Sequence, residues 1–191
     1  YTNHDIEMMP FYIFYSMFGF QRVMDLAWAA GDSQTRGFLI GATSGRTTLA
    51  GEGLQHQDGQ GLIMASMIPN CISYDPTYAY EMATIIEDGI KRMHTNKENI
   101  FYYITALNEN YKHPEIPKHV KKEHILKGMY LFKEFRNKGK SIVQLFGSGS
   151  ILNETIKAAE ILSKDFGIDS DVWSVTSYSE IQRDGAEILR W

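Results

Sequence analysis

"CISYDPTYAYEMATIIEDGIKRMHTNKENIFYYITAL", residues 71–107, reads as one complete strand–helix–strand unit. The first four residues form a brief apolar strand. Asp75 then stands as a helix cap with Pro76 at the first helical position, where its missing N–H costs nothing. From there Ala79, Met82, Ala83, Ile86, Ile90 and Met93 recur at helical spacing and form one apolar stripe, predicting a helix over 75–96. "NIFYYITAL" (99–107) is β-branched and aromatic, which favours a pleated strand. Alternating strand and helix argue for an α/β layer with a mostly parallel sheet flanked by helices.

The same rhythm extends outward. Upstream, "PFYIFYSMFGFQRVMDLAWAAGD" (10–32) is apolar nearly all round, with Pro10 at its start and Gly31 at its stop, and predicts a buried helix. "GFLIGA" (37–42) is a short glycine-bounded strand, and "GLIMASMI" (61–68) a short helix stopped by Pro69. Downstream the character changes. "NENYKHPEIPKHVKKEH" is charged, contains two prolines and has little periodicity, so residues 108–140 read as a linker, with "GMYLFKEF" (128–135) as an extended segment ending it. Strand, glycine turn, helix and strand resume in "SIVQLFGSGS", "ILNETIKAAEILSKDFG" and "SDVWSVTS", so 141–191 begins a second α/β domain after the first at 1–107.

Composition bounds the function. At 191 residues with 43% hydrophobic content the chain has ample core. A net charge of −4 gives no electrostatic reason to expect nucleic acid or an anionic membrane as partner. Cys71 alone allows no intrachain disulfide and fits a reducing compartment. No apolar run reaches the length of a membrane span and no signal peptide opens the chain, so an intracellular, cytoplasmic location is expected. Tyr1 in place of Met, and Trp191 inside a helical pattern, read as cuts within a longer chain.

Three features carry candidate chemistry. In "GEGLQHQDG" (51–59) Glu52 and His56 lie four apart on a glycine-rich loop, where a carboxylate and an imidazole can converge on one small molecule and manage its protons. A solvated surface turn explains the same letters. Tyr15 and Phe18, three apart within an aromatic cluster, can present an apolar face with a hydroxyl to a flat heteroaromatic ring, or they can be core. "FGSGSILNET" (146–155) places glycines between strand and helix, but it has neither the third glycine of a dinucleotide fingerprint nor the lysine of a P-loop. Histidine spacing offers no zinc site, and Ser44 and Cys71 have no nucleophile signature.

Taken in order, "PFYIFYSMFGFQRVMDLAWAAGD", "RGFLIGATSGRTTLAGEGLQHQDG" and "IPNCISYDPTYAYE" resemble the transketolase-type pyrimidine domain of thiamine-diphosphate enzymes. Within it, "SMFGFQR", "GRTTL", "GEGLQH", "PNCISYDP" and "LNENY" are similar to the homodimeric bacterial pyruvate dehydrogenases, and Lys140 onward to the start of the C-terminal domain. The resemblance implies thiamine diphosphate held between two subunits, its diphosphate bound through a magnesium ion whose ligands lie outside this fragment. It implies Phe18 stacking on the aminopyrimidine, Tyr15 bordering the same pocket, and His56 and Glu52 facing the substrate near the thiazolium carbon. Pyruvate would be decarboxylated and the acetyl-level fragment passed to a lipoyl group on the dihydrolipoyl acetyltransferase. The family's N1′-contacting glutamate and its metal-binding segment are absent here, so no residue is assigned to a metal, and the fragment alone is expected to be inactive. A transketolase, another 2-oxoacid decarboxylating relative or a non-catalytic dimerisation module are the alternatives. The Gly-Leu-Gln before His56, where transketolases commonly have Gly-Pro-Thr, counts against a sugar phosphate.

Overall fold

The computed structural model of the chain describes residues 4, 6–42, 44, 56–137 and 142–191. Two sheets organise it. The first is parallel, ordered β1-β2-β4-β3, from β1 (Phe11–Tyr15), β2 (Phe38–Ala42), β3 (Cys71–Tyr74) and β4 (Phe101–Ala106). Helices α1 (Gly19–Asp32), α2 (Gly61–Ser66) and α3 (Ala79–Ile90) join its strands, and a π-helical turn (Lys91–Thr95) continues α3. α4 (Lys122–Leu126) leads into the second sheet. That sheet is mixed and ordered β5-β7-β6, from β5 (Met129–Phe135), β6 (Ile142–Gly147) and β7 (Asp169–Val175), with α5 (Ile151–Phe166) and α6 (Tyr178–Arg190). The α/β architecture is as expected, and the strand–helix–strand unit of 71–107 pairs in parallel, Cys71 beside Phe101 through Tyr74 beside Ile104.

Three local readings are corrected. Residues 10–32 are not one buried helix. Phe11–Tyr15 forms β1, Ser16–Phe18 a 3-10 turn, and the helix begins only at Gly19. A run that is apolar on every side carries no helical period, and its aromatic and β-branched residues pair instead along β2 from Phe11 beside Phe38 to Tyr15 beside Ala42. As an edge strand it leaves Phe11, Tyr12 and Ile13 exposed. Gly31 lies within α1 rather than capping it. A Cβ there would come within 2.7 Å of Asn70 Oδ1, and Gln34 takes the left-handed conformation.

Asp75 does not cap α3, which starts at Ala79; its buried carboxylate accepts from Thr105 Oγ1 at 2.5 Å and Ser148 Oγ at 2.8 Å. Residues 128–135 do not end a linker. β5 pairs antiparallel with β7 from Met129 beside Val175 to Phe135 beside Ser170, and so builds the second sheet.

The corner from Tyr74 to Glu81 joins the two sheets. Asp75 N–H donates to Thr176 O (2.7 Å), and Gly149 N–H to Asp75 O (3.2 Å). Thr77 Oγ1 donates to Gly149 O at 2.7 Å. Gly147 of that turn serves packing, since a Cβ there would meet Leu152 Cα at 2.6 Å, while Gly149 takes the left-handed conformation.

Glu81, fully buried, completes the seam. Oε2 accepts the N–H of Thr77 (2.5 Å) and of Tyr78 (2.8 Å); Oε1 accepts from Tyr130 Oη (2.5 Å) and Ser174 Oγ (2.6 Å). Reaching back to those two N–H groups does for α3 what a side-chain cap would do. Burial pushes the carboxyl above the usual range, against the opposing pull of the Ser174, Tyr130, Tyr78 and Thr77 hydrogen bonds.

A carboxyl raised in the folded state stabilises fully below its ordinary value of 4.5 and loses that contribution as pH rises through the folded value. The margin by which the parent's unfolding free energy exceeds that of Glu81→Gln should therefore shrink as pH rises above 4.5. Glu81→Ala, which strands four donors, should cost on the order of 3 kcal/mol below pH 4.5 and show the same decline in margin above it. Urea unfolding of both variants across pH checks each; a margin that widens with pH would contradict the first.

Candidate functional site

Open parallel sheets bind ligands beyond the carboxyl ends of their strands. There, Tyr15 ends β1 and Phe18 closes the 3-10 turn that follows, their ring centroids 5.3 Å apart. His56 stands edge-on to both, at 5.7 Å from Tyr15 and 5.5 Å from Phe18, each at 80°. Arg22, one helical turn beyond Phe18, sets its guanidinium carbon 4.3 Å from the centre of that ring. Three of the four sequence-derived candidates, Tyr15, Phe18 and His56, therefore meet. Glu52 lies outside the described residues, as does most of the loop that carries it.

Beneath this slot sits an aromatic shelf centred on Tyr103 of β4, fully buried. Phe14 stacks on it at 6.1 Å, and Phe20 meets its edge at 4.9 Å. Tyr103 Oη donates to Asp58 Oδ2 (3.3 Å), while Asp58 Oδ1 accepts the Gly61 N–H (2.9 Å). Two glycines make room for the hydroxyl: a Cβ on Gly41 would come within 2.5 Å of Tyr103 Oη, and one on Gly61 within 2.7 Å. The buried hydroxyls of Ser16, in the 3-10 turn, and Ser44, just after β2, have no hydrogen-bond partner among the described residues. Such orphaned groups suit a ligand with a polar edge as well as an apolar face.

The sequence reading did not single out Asp58, Tyr103 or Arg22. For Asp58 a signal existed: an Asp three residues before Gly61 at a helix start is a capping pattern. Tyr103 read only as strand.

Other candidates fall away. Burial pushes the Cys71 thiol up to about 12, so it stays protonated and is no nucleophile. Among the described residues no group of three His, Cys, Asp or Glu side chains could hold a metal ion. A cavity of about 750 Å³ lies between α2 and the second sheet's helices. It is lined by neither Tyr15, Phe18 nor His56, and two of its hydroxyls are engaged, Ser148 with Asp75 and Ser177 with Ser73 O. No described helix is long and apolar enough to cross a membrane.

Solved structures share this pair of sheets. The transketolase of Campylobacter jejuni subsp. jejuni matches over 92% of this chain and 26% of its own, with a TM-score of 0.73 at 18% identity. The transketolase of Leishmania mexicana matches over 92% and 24%, with a TM-score of 0.71 at 15% identity. The fold is thus transketolase-like. A family model described as "Pyruvate dehydrogenase E1 component middle domain" matches residues 1–114, and one described as "Transketolase-like TK C-terminal domain" matches 128–190. The pyruvate dehydrogenase E1 component of Pseudomonas aeruginosa is 59% identical over 191 residues, and that of Escherichia coli K12 is 60% identical over 193. The chain belongs to the pyruvate dehydrogenase E1 family. These alignments cover 100% of the chain but only 22% and 21% of the two relatives, so it spans about a fifth of their length.

Replacing Gly41 by Ala should force Tyr103 off its shelf and lower stability by about 2 kcal/mol. Urea unfolding of the variant measures this, and a parent-like midpoint would show that the shelf can shift.

Proposed function

We propose that the chain is the middle part of a thiamine-diphosphate-dependent pyruvate dehydrogenase E1, in which Tyr15, Phe18 and His56 form the aminopyrimidine side of the active centre. The observation that supports this best is the convergence of those three rings at the carboxyl end of β1 in a chain of this family. When bound, thiamine diphosphate supplies a thiazolium carbon that attacks a keto group and accepts the electrons released by decarboxylation. The protein's task is then to place the cofactor and to control protons.

Phe18 offers a flat apolar surface for the aminopyrimidine, and Tyr15 walls the same slot. The hydroxyls of Ser16 and Ser44, without a partner among the described residues, suit the polar edge of such a ring. His56, held edge-on to both aromatics, binds the pyruvate carbonyl or carboxylate or moves a proton at the reacting centre. Glu52 is proposed as its partner on the loop. Magnesium does not fit the described residues, and its ligands are assigned to other parts of the parent chain.

The slot is completed by a second subunit of a homodimer, and the acetyl-level product goes to the lipoyl group of the dihydrolipoyl acetyltransferase in the cytoplasm. We assign the pyrimidine-binding domain to 1–107 and, because β5 belongs to the second sheet, the start of the C-terminal domain to 128–191. A solved relative titled "Split gene transketolase, inactive beta4 tetramer" matches 88% of this chain and 49% of its own, with a TM-score of 0.62. By analogy, this segment alone is expected to be inactive.

In the full-length enzyme, His56→Ala should lower pyruvate turnover on the order of 100-fold. Phe18→Ala should chiefly raise the thiamine-diphosphate concentration needed for half-maximal activity. Pyruvate-dependent carbon dioxide release with graded cofactor measures both. Parent-level turnover in His56→Ala would favour a non-catalytic dimerisation module instead, and carbon dioxide release by residues 1–191 alone would overturn the expected inactivity.

A further inference from the structure

We propose that Asp58 is a positioning residue for His56: its buried carboxylate fastens the end of the glycine-rich loop to the core, so that the imidazole meets Tyr15 and Phe18. The role rests on the reading of His56 as a group acting at the reacting centre.

Asp58 follows His56 by two residues, a span of at most about 7 Å of chain. It leaves 2% of its surface exposed, although it sits on a connecting segment where a carboxylate would ordinarily face water. Burial of that kind is tolerated when the oxygens are hydrogen-bonded, and both are. Oδ1 takes the Gly61 N–H at the start of α2, and Oδ2 takes Tyr103 Oη from the middle of the sheet.

The second bond gives the arrangement its meaning. Capping α2 needs only one acceptor, which a serine would supply without burying a charge. Two acceptor oxygens tie three elements at one point: the loop, α2 and β4. Tyr103 is itself fixed by Phe14 of β1 and Phe20 of α1, and these two residues flank Tyr15 and Phe18 in the chain. The imidazole and the two rings it faces are thereby referred to one shelf. Gly41 and Gly61 lack the Cβ that would displace the Tyr103 hydroxyl from this junction. A misplacement of about 1 Å at a reacting group can cost about 100-fold in rate, so an anchor two residues away bears directly on turnover.

The test uses the full-length holoenzyme with thiamine diphosphate and magnesium added. It compares kcat and KM for pyruvate, per folded molecule, in Asp58→Ala, Asp58→Asn, His56→Ala and the double variant His56→Ala/Asp58→Ala. Asp58→Ala should lower kcat by about 10-fold or more with KM changed less than about 3-fold. Asp58→Asn keeps an acceptor for Gly61 and a polar partner for Tyr103, and should recover most of the loss. The double variant should be no slower than His56→Ala, because the anchor acts through the imidazole.

Losses that multiply in the double variant, or parent-level kcat in Asp58→Ala beside an impaired His56→Ala, would overturn the positioning role alone. Parent-level kcat in His56→Ala would overturn the reading of His56 on which it rests. Should Asp58→Ala fail to fold, Tyr103→Phe removes only the hydroxyl and serves in its place. It should lower kcat in the parent and leave it unchanged in the His56→Ala background, and any other pattern counts against the anchor.

Discussion

The corner between β3 and α3 holds two buried carboxylates within seven residues, and the relation between the two sheets depends on how they are satisfied. Asp75 faces β4 and the β6–α5 turn, while Glu81 faces β5 and β7. The hydrogen bonds described to both come from hydroxyls and peptide N–H groups. Hydroxyl and amide donors must be close and well aligned to offset the loss of water, so they fix direction as well as distance. An apolar seam would tolerate sliding that this one does not.

The slot uses the same logic in miniature. Its visible members, Tyr15, Phe18 and His56, touch through ring edges and faces, which individually are weak and permissive. Their placement comes from a layer below, where Tyr103 gathers Phe14, Phe20 and Asp58 around a single phenol. The glycines at 41 and 61 belong to this layer too, since they set how near the backbone can pass to that hydroxyl.

Where sequence and structure agree, a local pattern coincided with the global fold. The 71–107 unit, α5 ending at left-handed Gly167, and β7 all follow from propensity and caps. Where they part, a distant partner had taken over a residue that local rules assign otherwise. Asp75 has the letters of a cap, but Thr105 and Ser148 claim it from 30 and 73 residues away. The FYIFY run offers no periodicity to separate strand from helix, and only pairing with β2 decides it.

Tyr15 and Phe18 lie within the stretch whose letters predict a helix, but a strand end and a 3-10 turn bring them together. Their meeting with His56 was implied by family resemblance and not by any period. The local letters around Asp58 point only to Gly61; its second partner, Tyr103, lies 45 residues downstream and leaves no local sign.

That separation has a consequence for the order of events during synthesis. Phe14, Phe20 and Asp58 all emerge from the ribosome before the residue they converge on. At about 5–20 residues per second, the stretch between Asp58 and Tyr103 takes several seconds to be made. Until β4 inserts between β2 and β3, the first two strands have no central neighbour and the loop has nothing to fasten to. The slot is thus a late product of folding, and a nascent chain that stalls before residue 103 would present its aromatic segment uncovered, as a target for chaperones.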